Sequence, residues 1–333
     1  MNVALLANSN HLSKTKSIDF FIHLLQDWFG AVSVIPHKEA WSRIPGTKWD
    51  LLVVWQGHQS PSELEAFGAR SVVLIPMYDD SAHDKASWDP YLGFKVLSFS
   101  QTLGQNLISW GHDCLVVQYF QPVPSLQVSI EPSRLKGFFW PRTPALTWKD
   151  LRPRLEGIQW ESFHLHLTSP EGGLPPDSTD IEQFKIVQTK WFERVEEYQK
   201  ALSSASVFFA PRLSEGIGMA FLEAMALGMC VVAPNYPTMS EYIEHGVNGL
   251  LYDPLVPETI DLSIAQALGA RARLSSEKGR AAWELSLPRL QAFLAQPMAE
   301  RQARKHLLIK AKGHLITLMR RVFRWIKRSL GRD

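Results

Sequence analysis

Two glutamates, Glu215 and Glu223, stand with seven residues between them in the segment Ser214–Gly228, SEGIGMAFLEAMALG. A carboxylate can accept two hydrogen bonds from neighbouring hydroxyls, which suits the diol of a sugar or a ribose. Gly216 and Gly218 lie between them and let backbone approach a ligand closely, with Ile217 between the two glycines. Ala220–Leu227 reads as helix, and Gly228 as the residue that stops it. Glu215 then sits at the helix mouth and Glu223 two turns on, near the same cleft. The unpaired N–H groups of such a helix start face an anionic ligand.

Glutamates at this spacing also arise by chance, so the weight falls on the elements that must position them. Ser206–Ala210 (SVFFA) reads as a buried strand that Pro211 ends, and Cys230–Ala233 (CVVA) as the next strand. Strand, glycine-bearing loop, helix and strand in that order make a βαβ unit.

The longer run Pro211–Pro254, PRLSEGIGMAFLEAMALGMCVVAPNYPTMSEYIEHGVNGLLYDP, closely resembles the donor-binding signature of retaining GT-B glycosyltransferases of the family 4 (glycosyl transferases group 1) type. The turn with Gly246, Asn248 and Gly249 belongs to the same pattern, while Cys230 stands where a proline is usual. The resemblance implies that Glu215 meets the transferred sugar and Glu223 the ribose of a nucleotide. It also implies backbone amides near Gly216, Ile217 and Gly218 that orient the sugar and β-phosphate, and a cation pair for the diphosphate. For that pair FFWPRTPALTWKDL offers Arg142 and Lys149, equally readable as exposed loop charges; Arg212, three residues before Glu215, is a further candidate.

Alternating strands and helices fill the rest of the chain and indicate parallel sheets covered on both faces. Strands are predicted at Val3–Ala7, Val32–Pro36, Asp50–Trp55, Val72–Pro76, Lys95–Ser98 and Leu115–Phe120, with helices at Ile18–Trp28, Ser62–Phe67 and Leu103–Gly111. A second series runs through Gly137–Trp140, Phe163–Leu167, Phe184–Val187, Val207–Phe209, Val231–Val232 and Gly249–Leu251. The expected fold class is α/β, GT-B: two Rossmann-like domains facing a central cleft, with a C-terminal basic amphipathic helix. The expected division is 1–121 for the acceptor domain and 122–136 for a linker with Pro122, Pro124 and Pro132. Residues 137–296 form the nucleotide-sugar domain and 297–333 the tail.

In the first domain the resemblance implies a glycine-rich turn after the first strand; here stands Asn8-Ser9-Asn10-His11, followed by Lys14 and Lys16. Asp50–His58 (DLLVVWQGH) resembles the strand and loop that carry a histidine to the cleft. Val72–Asp80 (VVLIPMYDD) resembles the next strand end, with Tyr78 where the family often has histidine, followed by Asp79. His58, Tyr78 or His83 is thereby placed to touch the sugar or the acceptor, or each is a loop residue. Asp79, Asp80 and His83 read as a solvated turn rather than a metal site, and the resemblance implies no cofactor and no metal requirement.

The 333 residues carry a net charge of +2, unevenly spread. From Arg301 onward eleven Lys or Arg face a single acid, and the remainder is acidic. In Arg304–Arg328 the residues Leu308, Leu315, Leu318, Met319, Val322, Phe323, Trp325 and Ile326 fall near one helical face. That pattern points to an anionic membrane surface; packing back over the first domain is the alternative, a role that Trp283–Phe293 also suits. The acidic body argues against nucleic acid. Two distant cysteines, Cys114 and Cys230, and an N-terminus without a basic start suggest a reducing, cytoplasmic setting, peripheral on the inner face of the membrane. No Walker loop, nucleophile elbow or GxGxxG fingerprint is present. The expected activity is transfer of a sugar, with retention, from a nucleotide sugar to a glycan or lipid-linked saccharide in bacterial surface-polysaccharide assembly. A turnover-less scaffold at the membrane and a sugar-nucleotide epimerase are the alternatives.

Overall fold

The computed structural model describes residues 1–297 apart from 10, 16, 58 and 169–171. The 301–333 tail and His58 therefore lie outside the described residues.

Six strands form a first parallel sheet: β1 (Val3–Ala7), β2 (Val32–Pro36), β3 (Leu51–Trp55), β4 (Ser71–Ile75), β5 (Lys95–Ser98) and β6 (Asp113–Val116), in the order β2-β1-β3-β4-β5-β6. Six more form a second: β7 (Leu135–Phe139), β8 (Trp160–His166), β9 (Ile186–Thr189), β10 (Val207–Phe209), β11 (Cys230–Pro234) and β12 (Leu250–Tyr252), in the order β12-β11-β10-β7-β8-β9. Both are parallel throughout. Strands covered on both faces read as unbroken apolar runs, and VALLA of β1, LLVVW of β3 and CVVAP of β11 are buried along their whole length.

Alternate residues of one strand feed different cores. Val3, Leu5 and Ala7 join a core that continues through Phe138, Phe208 and Val231 of the second sheet. Ala4 and Leu6 face a separate core under the first sheet, and Val207 and Phe209 another under the second. The shared core joins the halves by burial rather than by polar contacts alone.

Three further ties cross between the halves. The long helix Ala265–Ala295 leaves the second sheet and returns to the first, where Trp283 packs edge-on against Phe20 and Tyr119. This is the packing role expected of Trp283–Phe293. The buried Lys95 of β5 donates to the carbonyls of Phe293 (2.6 Å), Leu294 (3.3 Å) and Gln296. A cation at a helix C-terminus is stabilising, while burial pulls this amine down to about 8. Finally, Glu241 accepts from Ser100 Oγ (2.8 Å) and from the Gln101 and Thr102 amides (2.7 and 3.0 Å). It caps the helix Gln101–Ser109 from the other half.

Most predicted strands are present with shifts of one or two residues. At Phe184–Val187 the shift comes with a change of element: Phe184 closes the helix Ser178–Phe184, and β9 starts at Ile186 after Lys185 turns left-handed (φ 51°). The run FKIV carries no alternation that separates a buried helix end from a strand start. Similarly, Leu115–Phe120 becomes β6 at Asp113–Val116, because pairing with β5 sets its register from Asp113.

Candidate active site

In a doubly wound sheet, ligands bind beyond the carboxyl ends of the strands where the strand order reverses. In the second sheet that point lies between β7 and β10, whose last residues Phe139 and Phe209 are in register. The loops leaving them carry Trp140 and Arg142 on one side and Arg212 and Glu215 on the other. In the first sheet the reversal lies between β1 and β3, whose loops carry Asn8 and His11 on one side and Gln56 on the other.

The loop after β10 ends at Gly218, which is left-handed (φ 80°) and precedes the eight-residue helix Met219–Ala226. No side chain caps that helix start. A Cβ at residue 218 would overlap the Phe221 ring, and one at residue 216 would come within 2.7 Å of Met77 Cβ, which belongs to the first half. Gly218 is thus required by conformation, and Gly216 by the closeness of the two halves. Ile217 is buried in the shared core, so its contribution to any ligand site is through the backbone.

Glu215 is partly buried and has electrostatic neighbours in Arg212, Arg142 and Asp79. Burial raises its carboxyl to about 7, against the pull of the two arginines. Its side chain makes no hydrogen bond among the described residues. Glu223 is partly buried, and its carboxyl is raised by burial while a hydrogen bond from Tyr198 Oη (3.3 Å) lowers it.

The arginines differ in how they are held. Arg212 Nη1 donates to Asp79 Oδ2 at 2.9 Å, bridging the halves. Arg142 lies over the Trp140 ring, 3.7 Å from its centroid. Burial lowers the Arg142 guanidinium and Glu215 raises it; arginine nonetheless stays charged. Lys149 is exposed on the short helix Trp148–Leu151 and is not among the charges that act on Glu215. The second cation beside Glu215 is therefore Arg212.

On the first half, Tyr78 begins a short turn, Tyr78–Asp80, and stacks on His83 with ring centroids 4.2 Å apart. His83 Nε2 lies 2.7 Å from the Tyr78 carbonyl. Asp79 is not the solvated turn residue expected: it is held by Arg212, and burial raises its carboxyl. Gln56 adopts a left-handed φ of 48° and donates to Asp80 Oδ2 at 3.2 Å. His11 hydrogen-bonds to Gln56 and feels the charges of Arg212, Asp79 and Asp80. Beside this edge is a cavity of about 230 Å³ lined by Gln56, Asp80, Trp88 and Tyr91 among others.

Tyr198, Trp140 and His11 were not foreseen as site residues. Val195, Tyr198 and Leu202 recur at helical spacing, the signal that marks the helix Val195–Ser203 bearing Tyr198. Asn248 of the predicted turn is structural: it accepts from the Glu244 amide (2.7 Å) and donates to the Tyr242 carbonyl (3.1 Å).

Comparison with known proteins bears on this arrangement. Residues 179–281 match the family model of glycosyl transferases group 1. The amylovoran biosynthesis glycosyltransferase AmsK of Erwinia amylovora is 34% identical over 115 residues, covering 29% of this chain and 28% of that protein's length. Among solved structures, the lipopolysaccharide outer core galactosyltransferase WaaB in its apo form aligns with a TM-score of 0.62 at 14% identity, over 88% of this chain and 99% of the other. Anabaena Alr3699/HepE in complex with UDP and glucose aligns at 0.60 and 13%, over 88% and 100%. The fold is GT-B. The matched segment contains Tyr198, Arg212, Glu215 and Glu223, but not Arg142 or any residue of the first sheet. No helix among the described residues is long and apolar enough to cross a membrane.

Proposed function

We propose that this protein is a glycosyltransferase that moves a sugar from a nucleotide-sugar donor to a glycan or lipid-linked saccharide, with retention of configuration. The observation that carries the reading is the grouping of Glu215 with Arg142 and Arg212 at an uncapped helix start, with Glu223 farther along that helix. Glu215 accepts hydrogen bonds from the transferred sugar and Glu223 from the ribose. Arg142, Arg212 and the amides near Gly216, Ile217 and Gly218 stabilise the charge that develops on the leaving diphosphate, the kind of preorganised electrostatics that dominates many enzymatic rate enhancements. The HepE structure with UDP and glucose supports a nucleotide-sugar donor, and the AmsK and WaaB relationships support an acceptor in surface-polysaccharide assembly.

On this reading residues 1–121 bind the acceptor, with Tyr78, His58 and His83 as its candidate contacts, and 137–296 bind the donor. The reaction needs no metal. The basic 301–333 segment holds the protein on an anionic membrane surface at the cytoplasmic face, and nucleic acid is not a partner.

The test is a thermal-shift screen of nucleotide sugars on the purified full chain, followed by donor turnover in the wild type and Glu215→Ala. Stabilisation by one donor and turnover that depends on Glu215 are expected. NMR of the product anomer reports retention, and activity in a chelator reports metal independence. Liposome pelleting with and without 301–333 tests the membrane role, and equal behaviour of both forms would refute it. A binding subunit without turnover is the second reading, favoured by the engagement of Arg212 with Asp79. Donor binding with no turnover on any acceptor extract would establish it.

A further inference from the structure

A guanidinium that is to grip a phosphate has to be held in place without being neutralised. A carboxylate partner orients it but cancels its charge and competes with the phosphate for its N–H groups. An aromatic face orients it through the ring quadrupole and leaves the N–H groups of the guanidinium edge for a ligand. This molecule contains both solutions side by side: Arg212 is tied to Asp79 Oδ2 at 2.9 Å, and Arg142 lies 3.7 Å from the centroid of the Trp140 ring. Among the described residues, the Arg142 side chain makes no hydrogen bond, and its Nε is buried without a partner.

Trp140 is itself immobilised. Its Nε1–H donates to Thr168 Oγ1 at 2.9 Å. The His166 ring meets it edge-on, with centroids 4.7 Å apart at 78°, and Tyr198 packs against it at 5.7 Å. His166 is buried, stacks on Phe192 at 4.4 Å and 10°, and hydrogen-bonds through Nδ1 with Thr189 Oγ1 at 2.7 Å. Burial first, then His164 and Arg142, push its imidazole down to about 4. It is neutral at ordinary pH and adds no repulsion to the guanidinium above. The indole is thus fixed by His166 of β8, by Thr168 just past it and by Tyr198, the residue that also holds Glu223.

We infer that Trp140 is a positioning residue for diphosphate binding: its clamped ring holds Arg142 in place beside Glu215 while leaving the guanidinium charge for the donor's phosphates. The inference rests on the donor-site reading above and extends it to a residue outside the segment that matches the family model. It also assigns unequal parts to the arginines. Arg142 offers all its N–H groups to an anion as it stands, whereas Arg212 shares one N–H and part of its charge with Asp79.

The test is calorimetric titration of the full chain with UDP, GDP, ADP and dTDP, and with the monophosphate of whichever base binds. Trp140→Leu is expected to weaken the diphosphate about tenfold, from a cation–π contact of the desolvated kind, and to leave the monophosphate nearly unchanged. Trp140→Phe keeps a ring face and is expected to restore most of the loss. Thr168→Val, which frees the indole without removing it, is expected to lose a few-fold. In an Arg142→Ala background, Trp140→Leu should cost nothing further. Equal weakening of mono- and diphosphate, no rescue by phenylalanine, or an undiminished cost in the Arg142→Ala background would each overturn the inference. Phe and Val variants are conservative enough to decide the matter if the leucine variant fails to fold. A wild type that binds none of the four diphosphates would remove the donor-site reading and this inference with it. Diphosphate binding that is indifferent to Trp140 would remove the inference alone.

Discussion

The carboxyl ends of the two sheets are built to different standards of rigidity. Above the second sheet, Glu223 is fixed on an eight-residue helix and by Tyr198, Arg142 lies on a clamped indole, and Gly218 sets the helix start in a conformation that other residues adopt at a cost. Above the first sheet, the polar groups stand on turns: Tyr78–Asp80 is three residues long, and Gln56 is a single left-handed residue tied to Asp80. Groups on helices and strand ends keep their geometry whether or not a ligand is present, and groups on turns are more easily rearranged. On the proposed reading, the difference suits a donor half that is preformed and an acceptor half that is adjusted through short loops. Among the described residues, the ion pair Arg212–Asp79 joins the two edges.

The comparison breaks first at Glu215. Glu215→Gln is expected to lower kcat about a hundredfold or more, the scale of losing one well-placed electrostatic contact. The same substitution tests the pH behaviour. The Glu215 carboxyl rises from 4.5 to about 7 through burial, so between those values the folded state holds a proton that the unfolded chain has lost. Stability contributed by this group is full below about 4.5, falls as pH rises, and is gone above about 7. Denaturation curves from pH 4.5 to 8 should therefore show a decline that Glu215→Gln flattens. Turnover should rise over the upper part of that range in the wild type, because only the ionised carboxylate accepts two hydroxyl donors.

A second test compares the cost of rigidity directly. Gly218→Ala is expected to destabilise by about 3–4 kcal/mol, the sum of a left-handed backbone and a clash with the Phe221 ring. Gly68→Ala in the first half has a similar φ of 67° but open space around its Cβ, and should cost only about 1–2 kcal/mol. Equal midpoint shifts in urea would remove the claim that the edge of the second sheet is the more tightly specified.

Next, Tyr198→Phe removes the hydroxyl that holds Glu223, and nucleotide affinity should fall about tenfold, the scale of a hydrogen bond to a charged group. Calorimetry that finds no change would mean that the helix alone positions the glutamate. The smallest effect belongs to the bridge between halves. Asp79→Asn frees Arg212 for the donor, and diphosphate should bind about threefold tighter, in keeping with the worth of a partly exposed ion pair.

Much of the frame was legible from local pattern. Val3–Ala7, Val32–Pro36 and Lys95–Ser98 are strands over the residues that the apolar runs mark, and Gly228 is left-handed as a helix stop requires. The helix after β10 lies within a residue of its expected bounds. Where the pattern misled, the reason is local ambiguity. Phe184 is buried at the end of a helix, and a buried helix end resembles a buried strand start when only four residues are read. Lys149 and Arg142 illustrate the same limit for charges: both follow β7 around two prolines, but Lys149 ends up on the helix Trp148–Leu151 and only Arg142 acts on Glu215.

By itself, then, the sequence determined the α/β alternation, the two sheets, and the glycine loop and helix that carry Glu215 and Glu223 respectively, because periodicity, glycine placement and apolar runs act over a few residues. The tertiary structure decided what those glutamates face. Arg142 and Glu215 are seventy-three positions apart in the chain and Asp79 and Arg212 a hundred and thirty-three. They meet only because the strand order reverses between β7 and β10 and because a core shared by both sheets, with the helix Ala265–Ala295 across it, holds the halves together. Trp140 shows the division in one residue. The sequence says only that an aromatic ends an expected strand, while the indole clamped by Thr168, His166 and Tyr198 explains why an arginine can rest on it with its charge unspent.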